Sequence, residues 1–334
     1  MVTPAQKQAS ADRRANNRAR GRNRKHARVR ARPVLPGRSY KITKRCNERR
    51  MYLVASSGLD YDPKRLANFL GYCLAYCANT YGIEIHACVF MSNHYHIDIS
   101  DPHANLVEFK RLLNSMIARG INAAEGRHGS FWDRDVPADT QRPVDDETFL
   151  DLVYTLVNPV TAGLVRHADQ WPGFTTAGWR FGETRSFRRP DFYFDKGGEM
   201  PEKVTLTLAR PAIFGDLDDD ELFARIEAAV HQRELEVCQQ MRRDSRRFAG
   251  LQKTARQSFG AIPRSFEERF RVTPRVVTAC KWRRLAQLQR NRAWESAYAD
   301  ARARLLEGEA AMFPAGTYAL RKFAGVAVAV LAIC

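Results

Sequence analysis

Apolar positions recur along this chain in two rhythms. Over residues 63–81, Leu66, Phe69, Leu70, Cys73, Leu74 and Cys77 repeat at threes and fours, which predicts an amphipathic helix with Pro63 in its first turn. Residues 103–125 do the same through Leu106, Phe109, Leu112, Leu113, Met116, Ile117 and Ile121, with Lys110, Arg111 and Arg119 off the stripe. Period-two stretches predict strands. Residues 39–43 alternate, residues 44–50 make a basic connection, and residues 51–56 read as the second strand of a hairpin. Two apolar runs within residues 85–99 meet at the polar turn Met91-Ser92-Asn93 and predict another hairpin. A further helix opens on Asp145, Asp146 and Glu147, where acids suit the positive dipole end, and stops near Asn158-Pro159. Adjacent strands with separate helices argue an α+β fold with a central antiparallel sheet, residues 85–99 in its middle and helices 63–81 and 103–125 on one face.

The remaining segments carry weaker patterns. Residues 126–144 read as a loop bearing Phe131, Trp132, Arg134 and Arg142, and Trp132 is either a base-stacking residue or a buried plug. Residues 166–200, rich in Trp, Gly and Pro, read as irregular closing segments and linker. Residues 203–208 alternate as one strand, and residues 216–257 and 281–308 are charged and helical. The organisation expected is a basic disordered arm over 1–36, a main domain over 37–180 and a mainly α-helical accessory region over 181–334.

Charge sharpens this picture. The 334 residues carry a net charge of +17, and 44% are hydrophobic, enough to bury a core. Residues 1–36 hold eleven Lys and Arg against one acid, Asp12, with almost nothing apolar to fold around. Such an arm attracts phosphates in a salt-dependent way, which points to a nucleic-acid partner. The seven cysteines form no CxxC pair and scatter through apparent core segments, which suggests a reducing compartment. The N-terminus has no apolar signal core, and the apolar run 324–334 is too short to span a bilayer. These features predict a cytoplasmic, nucleoid-associated protein with no membrane partner.

The candidate chemistry lies on the strand His94-Tyr95-His96-Ile97-Asp98-Ile99. Residues two apart share a face, so His94, His96 and Asp98 point one way and the apolar set the other. Two imidazoles on a rigid strand suit a divalent metal; the plain alternative is a half-exposed pair on an edge strand. Asp98 either orients one imidazole or is a solvated strand-end acid. Downstream, Tyr154 and Asn158 are four apart and hence one helical turn apart, although Asn158 could equally be a capping residue.

Three pieces, Phe90-Met-Ser-Asn-His-Tyr-His-Ile97, Phe131-Trp132 and Tyr154-Thr-Leu-Val-Asn-Pro-Val-Thr-Ala-Gly-Leu-Val165, together resemble the HUH single-strand DNA endonucleases, most closely the REP-associated tyrosine transposases. The resemblance covers roughly residues 37–180 and says nothing of the last 150 or so. It implies a ferredoxin-like HUH domain in which His94, His96 and Asn158 hold Mg²⁺ or Mn²⁺ and Tyr154 is the nucleophile. Two histidines alone would also admit Zn²⁺. It implies a 5′-phosphotyrosine intermediate on single-stranded or hairpin DNA. Lys44, Arg45, Arg49, Arg50, Lys110 and Arg111 are the candidate DNA contacts. The oligomeric state stays open, a homodimer being one option. The alternative function is a domesticated regulator that binds hairpin DNA or RNA without cutting it; a replication or relaxase initiator is a third.

Overall fold

A computed structural model describes residues 31–133, 138–142, 147–195, 197–263, 275–278 and 280–330. Residues 1–30 of the basic arm, Arg134, Asp145 and Asp146 lie outside the described residues. The chain divides into two units, one of residues 34–288 and one of residues 1–33 with 289–334.

The first unit is built on a four-stranded antiparallel sheet. Its strands are β1 (Arg38–Arg45), β2 (Glu84–Phe90), β3 (His94–Asp101) and β4 (Ala138–Arg142), in the order β2-β3-β1-β4. Alternation decides the two faces of the central pair. Tyr40 and Ile42 on β1 lie opposite Ile99 and Ile97 on β3, and all four are buried in the main apolar core. Two helices cover this face, α1 (Pro63–Tyr81) and α2 (Leu106–Ala124). Each starts where the sequence supplies acceptors for its orphan N–H groups. Asp62 accepts from Lys64 N at 2.9 Å, with Pro63 in the first turn. The buried Asp101, at the end of β3, accepts from the backbone of Asn105 and Leu106, both at 2.9 Å.

The opposite face carries α3 (Glu147–Leu156) and the short α4 (Asn158–Thr161). Leu152, Val153, Leu156, Val157 and Val160 pack there against Ala87 of β2 and against α5 (Asp219–Arg243). The helical path breaks at Val157 because Pro159 has no N–H to donate. Bonds from Val157 N to Val153 O (2.9 Å) and Thr161 N to Val157 O (3.0 Å) carry the turn through the break.

Three expectations need correction. Residues 51–56 are not a strand. Both edges of β1 are already taken by β3 and β4, and Tyr52, Leu53, Val54 and Ala55 are buried in succession rather than alternately. The segment's backbone pairs elsewhere, with Leu53 N on Ser92 O at 2.9 Å. The loop expected over 126–144 contains β4, whose sequence Ala-Asp-Thr-Gln-Arg hides it by lacking apolar alternation. The linker expected over 166–200 contains β5 (Thr184–Arg188), which pairs with β6 (Lys203–Thr207). This hairpin belongs to the main core: Phe187, Val204 and Leu206 are buried in it, and a Cβ added to Gly71 of α1 would lie 2.3 Å from the Phe187 ring. Residues on both sides of position 180 therefore share one unit.

Residues 203–207, 219–243 and 281–306 follow the elements read from sequence, the last being α7 (Lys281–Leu306), preceded by the short α6 (Leu251–Ala255). In the second unit, Tyr298 packs on Trp294 and Phe313, and Trp294 Nε1 donates to Ala315 O at 2.7 Å. Among the described cysteines none is disulfide-bonded, and Cys46, Cys73, Cys77 and Cys88 are buried. Among the described residues no helix is long and apolar enough to cross a membrane.

Candidate functional site

The site stands on the sheet face opposite α1 and α2. Strand register puts three polar residues of β3 directly across from three of β1: His94 from Arg45, His96 from Thr43, Asp98 from Lys41. The His94 and His96 rings lie edge to face, 4.9 Å between centroids. The His96 ring in turn meets the Tyr154 ring of α3 at 6.0 Å. Tyr154 is 53% exposed, so it packs on the histidine while still reaching solvent. Asn158 follows one turn later, buried, as the first residue of α4.

Beneath Tyr154 lies a buried polar cluster. Lys41 Nζ sits 4.7 Å from the Tyr154 ring centroid. It pairs with Asp98 Oδ1 at 3.3 Å and donates to Thr155 Oγ1 at 2.7 Å and to Asp151 O at 3.0 Å. Thr155 Oγ1 also donates to Asp98 Oδ2. Asp151 pairs with Arg142 of β4 at 2.9 Å. Burial pushes the Asp151 carboxyl up to about 6, against the lowering pull of Lys41 and Arg142. Burial, then the neighbouring His94, Lys41 and Arg45, holds His96 well below the usual imidazole range, so its ring is neutral.

The donor set fits a divalent metal. His94 Nδ1 bonds Asn93 Oδ1 at 2.7 Å, and His96 Nδ1 bonds Thr43 Oγ1 at 2.9 Å. With the hydrogen on Nδ1 in each ring, Nε2 carries the lone pair that a metal needs, the usual arrangement for ligating histidines. Rings 4.9 Å apart are close enough for metal–nitrogen bonds of about 2.1 Å to bridge. Among the described residues no group of three His, Cys, Asp or Glu side chains is placed to hold an ion.

The sequence missed Lys41, Thr43, Asp151 and Thr155. The signal for Lys41 and Thr43 was the period of two, since Lys41, Thr43 and Arg45 share one face of β1; Asp151 and Thr155 lie four apart, one turn along α3. The same parity corrects Lys44, which falls on the other face opposite Tyr95; it is buried, with Nζ on Asp133 O at 2.6 Å, and is not a surface contact. Asp98 is neither a solvated acid nor the partner of an imidazole; it is buried against Lys41 and Thr155, and Thr43 orients His96. Arg45 is exposed on the site face. Arg50 is tied to Glu48 at 2.9 Å and to Gly260 O at 3.1 Å, and Arg49 lies in the same turn at a positive φ of 60°. Lys110 and Arg111 ride on α2, behind the sheet, and the structure does not bring them to the site. Trp132 is a plug: its ring packs on Phe131 and Tyr95, and Nε1 donates to Asn114 O at 2.8 Å.

No protein-family model and no curated protein matches the chain. Among solved structures it is similar to a REP-associated tyrosine transposase bound to a REP hairpin, at 18% identity and a TM-score of 0.33, covering 45% of this chain and 81% of that one. It is also similar to a candidate transposase from Deinococcus radiodurans R1, at 18% identity and a TM-score of 0.27, covering 37% of this chain and 92% of that one. Both similarities extend over less than half of this chain.

Proposed function

We propose that this protein is a transposase-type single-strand DNA endonuclease and strand transferase, acting on hairpin-forming DNA through Tyr154. The observation that carries the reading is the half-exposed Tyr154 ring seated on His96 of a two-histidine strand. The order β1-α1-β2-β3-α2-β4 with strands arranged 2-3-1-4 supports a ferredoxin-like HUH domain.

His94, His96 and Asn158 would hold the ion. Mg²⁺ or Mn²⁺, when bound, supplies Lewis-acid neutralisation of the scissile phosphate. A neutral Asn in place of a carboxylate leaves charge to be balanced by phosphate oxygens. Tyr154 Oη forms a bond to phosphorus as the bond from phosphorus to the 3′-oxygen breaks. The phenol gives up its proton, and the departing 3′-oxygen gains one, so the products are a 5′-phosphotyrosine and a free 3′-hydroxyl. Lys41 holds the tyrosine ring over the cluster, since Asp98 and Thr155 fix its ammonium. That hydroxyl can later attack the phosphotyrosine and rejoin strands without other energy input.

The test uses hairpin DNA with single-stranded flanks, labelled at either end and incubated with Mn²⁺. Cleavage by this route leaves a 3′ end that a polymerase extends and a 5′ end that resists phosphatase and kinase even after proteolysis, because a tyrosyl peptide stays esterified to its phosphate. Free 5′-phosphate ends would instead indicate hydrolysis by water and remove Tyr154 from the mechanism.

A further inference from the structure

The C-terminal half contributes a segment to the rim of this site. After α5 the chain reverses at Ser245, whose φ is +52°, and Arg246 N bonds back to Met241 O at 2.8 Å. It then runs along the segment that begins with Asn158. Ala249 N donates to Gly163 O and Gly250 N to Leu164 O, both at 2.9 Å, and Thr254 Oγ1 donates to Leu164 O at 3.1 Å. Met241 Cε lies 3.2 Å from the position a Cβ on Gly163 would take, so the turn is seated closely. Beyond α6 the segment reaches the turn before His94, where Ser92 Oγ bonds Gln257 Oε1. It ends on Met51, with Gly260 N on Met51 O at 3.0 Å and Met51 N on Ala261 O at 2.8 Å. One strap thus joins the stretch that carries Asn158 to the stretch that carries His94.

Its surface is predominantly basic. Arg242, Arg243, Arg246, Arg247, Lys253 and Arg256 are all exposed. The single acid among them, Asp244, accepts from Gln240 Nε2 at 2.8 Å. A solvated helix face would mix both signs, as the body of α5 does with Arg233 on Glu236 at 2.7 Å. Six like charges lie on a segment whose backbone is anchored at Gly163 and Leu164 on one side and at Ser92 and Met51 on the other, an electropositive surface complementary to a phosphodiester strand.

We infer that residues 242–256 are a phosphate-binding strap for the single strand that runs past Tyr154. This rests on the reading of the chain as a DNA-cleaving enzyme, and it gives the C-terminal half a task within that site. The strap's arginines hold the flank while the tyrosine holds one broken end, so the freed 3′ end stays near.

The test measures binding of a fluorescent hairpin with a single-stranded flank across a salt series, on the full chain. Arg246→Ala with Arg247→Ala removes two phosphate contacts, each worth about 0.7 in the slope of log K against log salt for single strands. The slope should fall by about 1.4, an affinity loss of roughly 25-fold at 0.1 M salt relative to 1 M. Arg246→Lys with Arg247→Lys keeps the charges and should keep most of the slope. Lys253→Ala with Arg256→Ala should act like the first pair from the other end of the strap. Unchanged slopes in both alanine pairs overturn the inference, as does a lysine pair that loses as much as the alanine pair. Tyr154→Phe separates the two readings, because it abolishes cleavage and leaves the slope alone. If the wild type never cleaves yet the strap variants lose affinity, the strap stands and the cleavage reading falls. If the wild type cleaves and the slopes do not move, the reverse holds.

Discussion

Replacing Lys41 with Met removes one charge from a buried pair and keeps the aliphatic stem. The Lys41 and Asp98 side chains are 7% and 9% exposed, and their charged atoms approach to 3.3 Å. Removing one partner of such a pair costs about 3–5 kcal/mol, because the surviving charge is left in a poorly solvated place. Asp98 would keep the Thr155 hydroxyl as a donor, so the expected loss sits at the lower end, about 3 kcal/mol. Asp98→Asn is milder, since the ammonium retains Thr155 and the Asp151 carbonyl. Combined with Lys41→Met it leaves no buried charge in the pair, and the double variant should recover to within about 1–2 kcal/mol of the wild type. Urea unfolding of all four proteins gives the coupling energy, with an unchanged m-value as the check on two-state behaviour. A Lys41→Met loss below about 1 kcal/mol, or a cycle that simply adds, would refute the buried-pair account. The variant also strips the cation from beneath Tyr154, a contact worth about 0.5–2 kcal/mol. Folded Lys41→Met should therefore cleave more slowly than Asp98→Asn.

Three further outcomes follow from the same structure. Gly71→Ala drives a methyl into the Phe187 and Phe174 rings, at 2.3 and 2.8 Å, and should destabilise by about 1–3 kcal/mol in thermal unfolding, which shows the β5–β6 hairpin to be core. Asp151, raised to about 6 from 3.8, holds more proton when folded than unfolded between those values, so its contribution to stability is full below pH 4 and is lost as pH rises through 6. Asp151→Asn should flatten that part of the pH–stability curve, and a curve of unchanged shape would contradict it. Mn²⁺ at about 100 times its dissociation constant should stabilise the wild type by about 2.7 kcal/mol in a melting assay and leave His94→Ala unmoved.

What was legible in the sequence was local. The extent of α1 follows from Pro63 in its first turn and the apolar repeat Leu66 to Cys77. The two faces of β3 follow from alternation alone. The misses share a cause: pairing partners are set by the sheet, not by the segment. Residues 51–56 have a strand's composition, but β1 has no free edge for them. Polar β4 and β5 form strands because a neighbour's ladder accepts them. The cluster around Lys41 needed the register of β1 on β3, which places Lys41 against Asp98 and Thr43 against His96. Each residue alone reads as an ordinary strand polar position. The strap lies in the half that the motifs do not reach, and only its backbone contacts to Gly163, Leu164 and Met51 reveal where it runs.

The central claim is that Tyr154 becomes joined to DNA. Labelled hairpin DNA with single-stranded flanks is incubated with the protein and Mn²⁺, denatured, and the surviving adduct is digested and mapped by mass spectrometry. The account predicts a labelled band that survives denaturation, a nucleotide on the peptide bearing Tyr154, and no band for Tyr154→Phe despite normal folding and DNA binding. A band that persists in Tyr154→Phe, or a nucleotide on any other tyrosine, would contradict it.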